Sequence, residues 1–153
     1  MERKDKKITK ETTEDILRLL EIEGTFKVSE NKEEKSIDII IDTKDSGIVI
    51  GRHGDILESL QLILSLAITK KVGKFIRVSV EVGDYKKNRI EWLRGFAEQT
   101  KEKVLEQGRE IAVPNLRAWE RRIVHLFLQD DKEVVSESQG EGRDRVLVIK
   151  PRV

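Results

Sequence analysis

Residues 45 to 82 read DSGIVIGRHGDILESLQLILSLAITKKVGKFIRVSVEV, and one feature there constrains the fold more than any other. The apolar stretch is broken by Gly51-Arg52-His53-Gly54. Glycine enters left-handed backbone conformations without a steric penalty and weakens the interior of a helix or strand. The four residues therefore read as a loop between two elements. SGIVI fits a single helical turn before it, and Ile56, Leu60, Ile63 and Ala67 recur at helical spacing after it. FIRVSVEV then switches to a period of two. Its Ile76, Val78, Val80 and Val82 face a core while Arg77, Ser79 and Glu81 face out.

The flanking segments extend this pattern. Residues 1–11, charged throughout, are expected to be a frayed tail, with Thr12 or Thr13 capping a short helix that carries Ile16, Leu17 and Leu20 and stops near Gly24. Phe26 and Val28 mark one strand, NKEEK a turn, and Ile37, Ile39 and Ile41 the buried side of a second. Asp84 is placed to cap a long helix, residues 84–107, whose stripe Leu93, Phe96, Ala97, Thr100 and Val104 runs toward Gly108. That helix is the expected connector between two domains. REIAV is a short strand, Pro114-Asn115 opens a helix carrying Leu116, Trp119, Ile123 and Phe127, and EVVSESQ, GEG and RVLVIK form a hairpin. The order of elements predicts an α+β fold in two small domains, residues 12–83 and 84–153, rather than a parallel α/β sheet.

Composition limits the function. With 30 Lys and Arg against 29 Asp and Glu, the formal net charge is +1, so a polyanion must be met by a local patch. The absence of cysteine excludes disulfides, thiolate zinc ligands and thiol nucleophiles. Two histidines give little basis for a metal site, and no cofactor is expected. The N-terminal residues lack the apolar core of a signal peptide, and no run approaches the ~18 apolar residues of a membrane span. These features point to a soluble, cytoplasmic protein.

A Gly-x-x-Gly loop at the head of a helix brings backbone amides close to a ligand, and Arg52, beside His53, adds charge, so the loop is a candidate phosphate site. The plain alternative is a helix-helix turn. Lys70, Lys71, Lys74 and Arg77 supply further cations, while Asp55 competes with a phosphate for the same amides. No Gly-Lys-Ser/Thr or Gly-x-Gly accompanies the loop, which excludes the usual nucleotide-binding loops.

IVIGRHG, followed by an apolar helix and a strand, resembles a KH domain, helices on a three-stranded sheet. The resemblance implies that Gly51, Arg52, His53 and Gly54 clamp about four nucleotides of single strand, with Ile48 and Ile50 lining the base groove. In the second half, Arg117, Arg121 and His125 share one helical face of RAWERRIVHLFL. The alternative is a solvated basic face. Arg-x-x-x-His, then SESQGEGRDR and a closing apolar strand, resembles the R3H domain, two helices on a small three-stranded sheet. On that resemblance Arg121 and His125 are the signature pair, supported by Arg117, Arg122 and Arg145. A KH domain followed by R3H resembles the Jag, or SpoIIIJ-associated, family across roughly residues 13–150. It implies a non-catalytic, cytoplasmic RNA-binding protein linked to cell elongation, division or sporulation. Its partners would be single-stranded RNA or DNA and either a second copy or another small KH protein.

Two other classes compete with this reading. An enzyme acting on nucleic acid or nucleotide is opposed by the lack of a carboxylate cluster, a His-x-x-x-His pair or a nucleophile motif. This leaves an accessory subunit of such an enzyme as the related alternative. An interaction adaptor draws support from Leu62 and Leu66, which lie off the expected core stripe.

Overall fold

The computed structural model describes residues 3–152, so Met1 and Glu2 of the expected tail, and Val153, lie outside the described residues. The chain divides after Lys86 into two compact units. The first contains α1 (Arg3–Leu19), β1 (Gly24–Asn31), β2 (Ser36–Thr43), α2 (Ser46–Ile50), α3 (Asp55–Val72) and β3 (Arg77–Val82). Its sheet runs β1-β2-β3, with β1 antiparallel and β3 parallel to β2.

The parallel pair sets the path of the chain. Ser36 lies opposite Arg77 and Ile41 opposite Val82, so the chain leaving β2 must return along the sheet before it can start β3. α3 makes that return, and its 18 residues span about 27 Å, close to the roughly 26 Å of an eight-residue strand. The core beneath it joins Ile37, Ile39 and Ile41 to Val78, Val80 and Val82, with Leu60, Leu64 and Ile68 from α3, Val49 from α2 and Leu17 from α1. The strand faces agree with the period-two reading. The α3 stripe does not: Ile56 and Ile63 are 48% and 50% exposed. α3 is apolar nearly all round, so periodicity alone could not select which aliphatic residues face the sheet.

The expected tail is also corrected. Residues from Arg3 onward are helical, and Thr12 and Thr13 lie inside α1 rather than at its start. The buried side of α1 is written in Asp5, Thr9, Thr12, Thr13 and Leu17, a stripe that an apolar count overlooks. Thr9 and Thr13 each donate their hydroxyl to the carbonyl four residues back, at 2.8 Å, which lets both be buried. α1 packs on α3, with Asp5 paired to Lys74 at 2.7 Å and Asp15 to Lys71 at 3.7 Å.

The second unit contains most of α4 (Tyr85–Gln107), then β4 (Ile111–Val113), α5 (Ala118–Leu128), β5 (Val134–Gln139) and β6 (Val146–Pro151), in an antiparallel sheet of order β4-β6-β5. α4 is more than a connector. Its Leu93, Ala97 and Val104 enter the core formed with Val113, Leu116, Val124, Leu128, Val134, Leu147 and Ile149. Its first turn is capped by the Glu81 carboxylate, which accepts the Lys86 amide at 2.8 Å, where the sequence pointed to Asp84. Among the described residues, no helix is long and apolar enough to cross a membrane.

α5 starts later than expected, at Ala118. Of the expected stripe, Leu116 is in the core and Trp119 and Ile123 pack against it, but the fully buried line is shifted by one position. Glu120, Val124 and Leu128 are buried, whereas Phe127 is 43% exposed. The shift has a single cause. Glu120 has no exposed surface, and its carboxylate accepts Arg89 Nε at 2.7 Å and the Arg117 amide at 2.9 Å. Arg89 also lies 4.3 Å from the Trp92 ring centre, and Trp92 stacks on Phe96 at 5.1 Å. A charged residue in the middle of the inward stripe reads as surface, which displaced the expected stripe by one position.

Two predictions follow from these ion pairs. Arg89→Met strands the Glu120 carboxylate, and the second unit should lose about 3–5 kcal/mol in chemical denaturation. Arg89→Met with Glu120→Met should recover most of that loss. The second prediction concerns acid. Lys101 bonds Asp131 at 2.7 Å and Glu133 at 3.1 Å, which drives the Lys101 pKa up and holds Asp131 below its ordinary 3.8. Bonds from Lys150 and Gln139 likewise lower Glu137 below 4.5. Groups depressed on folding stabilise above their unfolded values and lose that contribution as pH falls through the folded ones. Stability should therefore stay level near neutrality and fall below about pH 4.5. Lys101→Met should be less stable at pH 7, and its deficit should shrink as the carboxylates protonate.

Candidate nucleic-acid interface

The loop 51–54 sits where α2 hands over to α3, at the end of the sheet from which β2 and β3 exit. Three of its four residues have positive φ, namely Gly51 at 69°, His53 at 53° and Gly54 at 82°. Side chains also crowd both glycines. A Cβ on Gly51 would fall 2.6 Å from Ile56 Cγ1, and one on Gly54 would fall 3.0 Å from Tyr85 Oη. His53 holds a left-handed conformation that a side chain rarely adopts, at a cost of order 1–3 kcal/mol. Arg52 and His53 are exposed between the two glycines.

The structure brings only some of the expected cations to this loop. Lys70, Lys71 and Lys74 lie at the other end of α3, about 24 Å along its axis from Gly54. Lys71 and Lys74 are paired with α1 carboxylates, and Arg77 lies 3.9 Å from Glu34. Nearness in sequence had grouped them with the loop, but a helix carries its two ends apart. Ile48 is 72% exposed beside the loop, whereas Ile50 is only partly exposed and packs against the core.

A groove that sequence reasoning missed runs along α3 and β3. It measures about 370 Å³ and is lined by Glu58, Ser59, Gln61, Leu62, Ser65 and Val78. Gln61 Oε1 accepts the Val80 amide at 2.9 Å, tying the helix to the edge strand. Polar residues every three or four positions on an otherwise apolar helix were the available signal.

In the second unit, Arg117, Arg121 and His125 occupy one face of α5. Arg121 Nη1 donates to the Leu116 carbonyl at 2.6 Å, which fixes the guanidinium beside the helix start. His125 is exposed, and its Nδ1 lies 2.9 Å from the hydroxyl of buried Ser136 on β5, so one ring nitrogen is held against the sheet. Arg122 is exposed one turn before His125. Arg145 is exposed at the start of β6, where Gln139 of β5 pairs with Val146. Glu120, absent from the sequence reading, anchors this face through the Arg117 amide. Its position three residues after Arg117, the residue that caps the helix, was the signal, since acidic groups there meet orphan amides.

The order of units and their motifs match known families. The KhpA/KhpB KH-domain model covers residues 10–82, and the R3H-domain model covers residues 91–151. The chain belongs to the KhpB/Jag family. It is 34% identical over 139 residues to the RNA-binding protein KhpB of Clostridium symbiosum, covering 91% of this chain and 63% of that protein. It is 31% identical over 130 residues to KhpB of Streptococcus pneumoniae serotype 2, covering 85% and 39%, and 28% identical over 130 residues to KhpB of Bacillus subtilis, covering 84% and 62%. The chain thus spans under two thirds of the length of each.

The loop geometry makes a stability prediction. Gly51→Ala combines a left-handed backbone with the clash against Ile56, whereas Gly73→Ala, at φ 82°, meets nothing within 4 Å. Gly73→Ala should cost about 1 kcal/mol and Gly51→Ala more, by denaturation of each variant.

Proposed function

We propose that this chain is a non-catalytic protein that binds single-stranded RNA through both units. The observation that carries the reading is the left-handed turn at the head of α3, with Arg52 and His53 exposed between two glycines of positive φ that side chains crowd. Such a turn lets a sugar-phosphate backbone approach the protein backbone, and the arginine adds charge at the point of contact. The exposed groove along α3 and β3 is a path for the bases. Arg117, Arg121, Arg122, His125 and Arg145 form the second contact surface, in which arginine meets phosphate and His125 Nε2 either bonds phosphate or stacks. The names of the relatives support RNA as the ligand. The family resemblance supports a cytoplasmic, post-transcriptional role in cell elongation, division or sporulation.

A second reading rests on a separate observation. Leu62 and Leu66 are 61% and 63% exposed on α3, a face suited to a protein partner, either a second copy or another small KH protein. A mass measurement in solution, repeated with Leu62→Ser and Leu66→Ser, tests it.

RNA affinity should fall steeply with salt, with a log-log slope of roughly −3 to −4 for four to six neutralised phosphates. Arg52→Asp with His53→Asp should lower short-RNA affinity at least tenfold at unchanged fold, because two carboxylates then face the phosphate. Linking two weak sites raises affinity by about 10²- to 10⁴-fold when one strand spans both. Long oligonucleotides should therefore bind far better than short ones, and Arg121→Ala with His125→Ala should remove that gain while sparing short RNA. A salt-insensitive interaction, or identical length dependence in the double variant, would contradict the two-site reading.

A further inference from the structure

At the Gly-x-x-Gly loop the Gly51 amide donates to the Gly47 carbonyl at 3.0 Å and the Asp55 amide to the Arg52 carbonyl. Within it, the Gly54 amide reaches the Gly51 carbonyl only at 3.5 Å, the outer limit of a hydrogen bond. What encloses the loop is side-chain packing on two sides. Ile56 fills the space beside Gly51, and the phenol ring of Tyr85 fills the space beside Gly54. A Cβ on Gly54 would lie 3.0 Å from Tyr85 Oη, 3.2 Å from Cε1 and 3.4 Å from Cζ, so the ring lies directly against the glycine. Gly54 is buried as a result.

Tyr85 is itself held in place. The Gly83 amide donates to the Ile41 carbonyl at 3.1 Å, tying the exit of β3 to the end of β2. Three residues later the Lys86 amide donates to the Glu81 carboxylate, which fixes the first turn of α4. Parallel pairing of β2 and β3 brings the chain after β3 to the same end of the sheet as the loop. The residue that closes the loop therefore comes from beyond residues 10–82, which the KH-domain model covers.

We propose that Tyr85 is a positioning residue of the RNA clamp, holding Gly54 in its left-handed conformation so that the head of α3 presents one fixed arrangement of amides to a phosphate. This rests on the RNA-binding reading above. Without the ring, Gly54 gains room to leave φ near 82°, and a clamp that is competent only part of the time binds more weakly by that fraction. The proposal differs from a purely structural role in what it moves: local order at Gly54 and Asp55 and short-RNA affinity, rather than the melting temperature alone.

The test uses the full chain and a short oligouridylate of about four to six nucleotides, which engages the clamp alone. Tyr85→Ala should bind it about 5- to 20-fold more weakly, and amide exchange at Gly54 and Asp55 should quicken by a similar factor. Tyr85→Phe, which keeps the ring, should stay within about twofold of wild type. Adding Tyr85→Ala to Arg52→Asp and His53→Asp should weaken binding no further, since the clamp is already disabled. Should Tyr85→Ala not fold, Tyr85→Leu replaces it under the same criteria. A folded variant with wild-type affinity and wild-type exchange at Gly54 overturns the proposal. If the wild-type chain does not bind the oligonucleotide, the RNA reading fails, and the exchange measurement alone then decides whether Tyr85 orders the loop.

Discussion

The parallel pairing of β2 with β3 is the constraint from which the first unit follows. Parallel neighbours cannot be joined by a tight turn, so the chain must reverse beyond the end of the sheet and run back along its length. α2 and α3 make that journey, and the reversal between them falls on residues 51–54. The loop is tight because α2 and α3 meet there, and it is glycine-rich because Ile56 and Tyr85 occupy the volume where side chains would stand. The same pairing separates the loop from Lys70, Lys71 and Lys74, which α3 carries to the opposite end of the sheet.

The second unit depends on a different kind of interaction. Glu120 has no exposed surface, an arrangement that is stable only because Arg89 and the Arg117 amide satisfy its carboxylate. That one side chain joins α4 to the start of α5 and so places the face carrying Arg117, Arg121 and His125. Ser136 and the Leu116 carbonyl then orient His125 and Arg121 individually. Groups offered to solvent on this face are thus held by groups beneath it.

How much of this was legible in the sequence depended on which physical signal each element carries. β2 and β3 were readable because alternation leaves one register that buries Ile37, Ile39 and Ile41 with Val78, Val80 and Val82. The loop was readable because glycines at fixed spacing have few uses. α1 was not, since its buried stripe is mostly threonines and an aspartate, of which Thr9 and Thr13 are satisfied by the helix backbone and Asp5 by Lys74. The inward faces of α3 and α5 were only partly right, for opposite reasons. α3 offers too many aliphatic residues, and α5 buries a glutamate. The reach of Tyr85 to Gly54, 31 positions earlier in the chain, is a tertiary contact that no local period encodes.

The central claim is that single-stranded RNA meets the loop 51–54 with the adjoining α3 groove, and the α5 face around Arg121 and His125. Amide chemical-shift mapping of the labelled full chain, titrated with a single-stranded RNA long enough to engage both units, tests this most directly. The account predicts the largest changes at Gly51 to Leu57 and along Glu58 to Ser65, with a second set at Arg117 to His125 and Ser136. Changes confined to Lys70 through Arg77, or none in either region at saturating RNA, would contradict it.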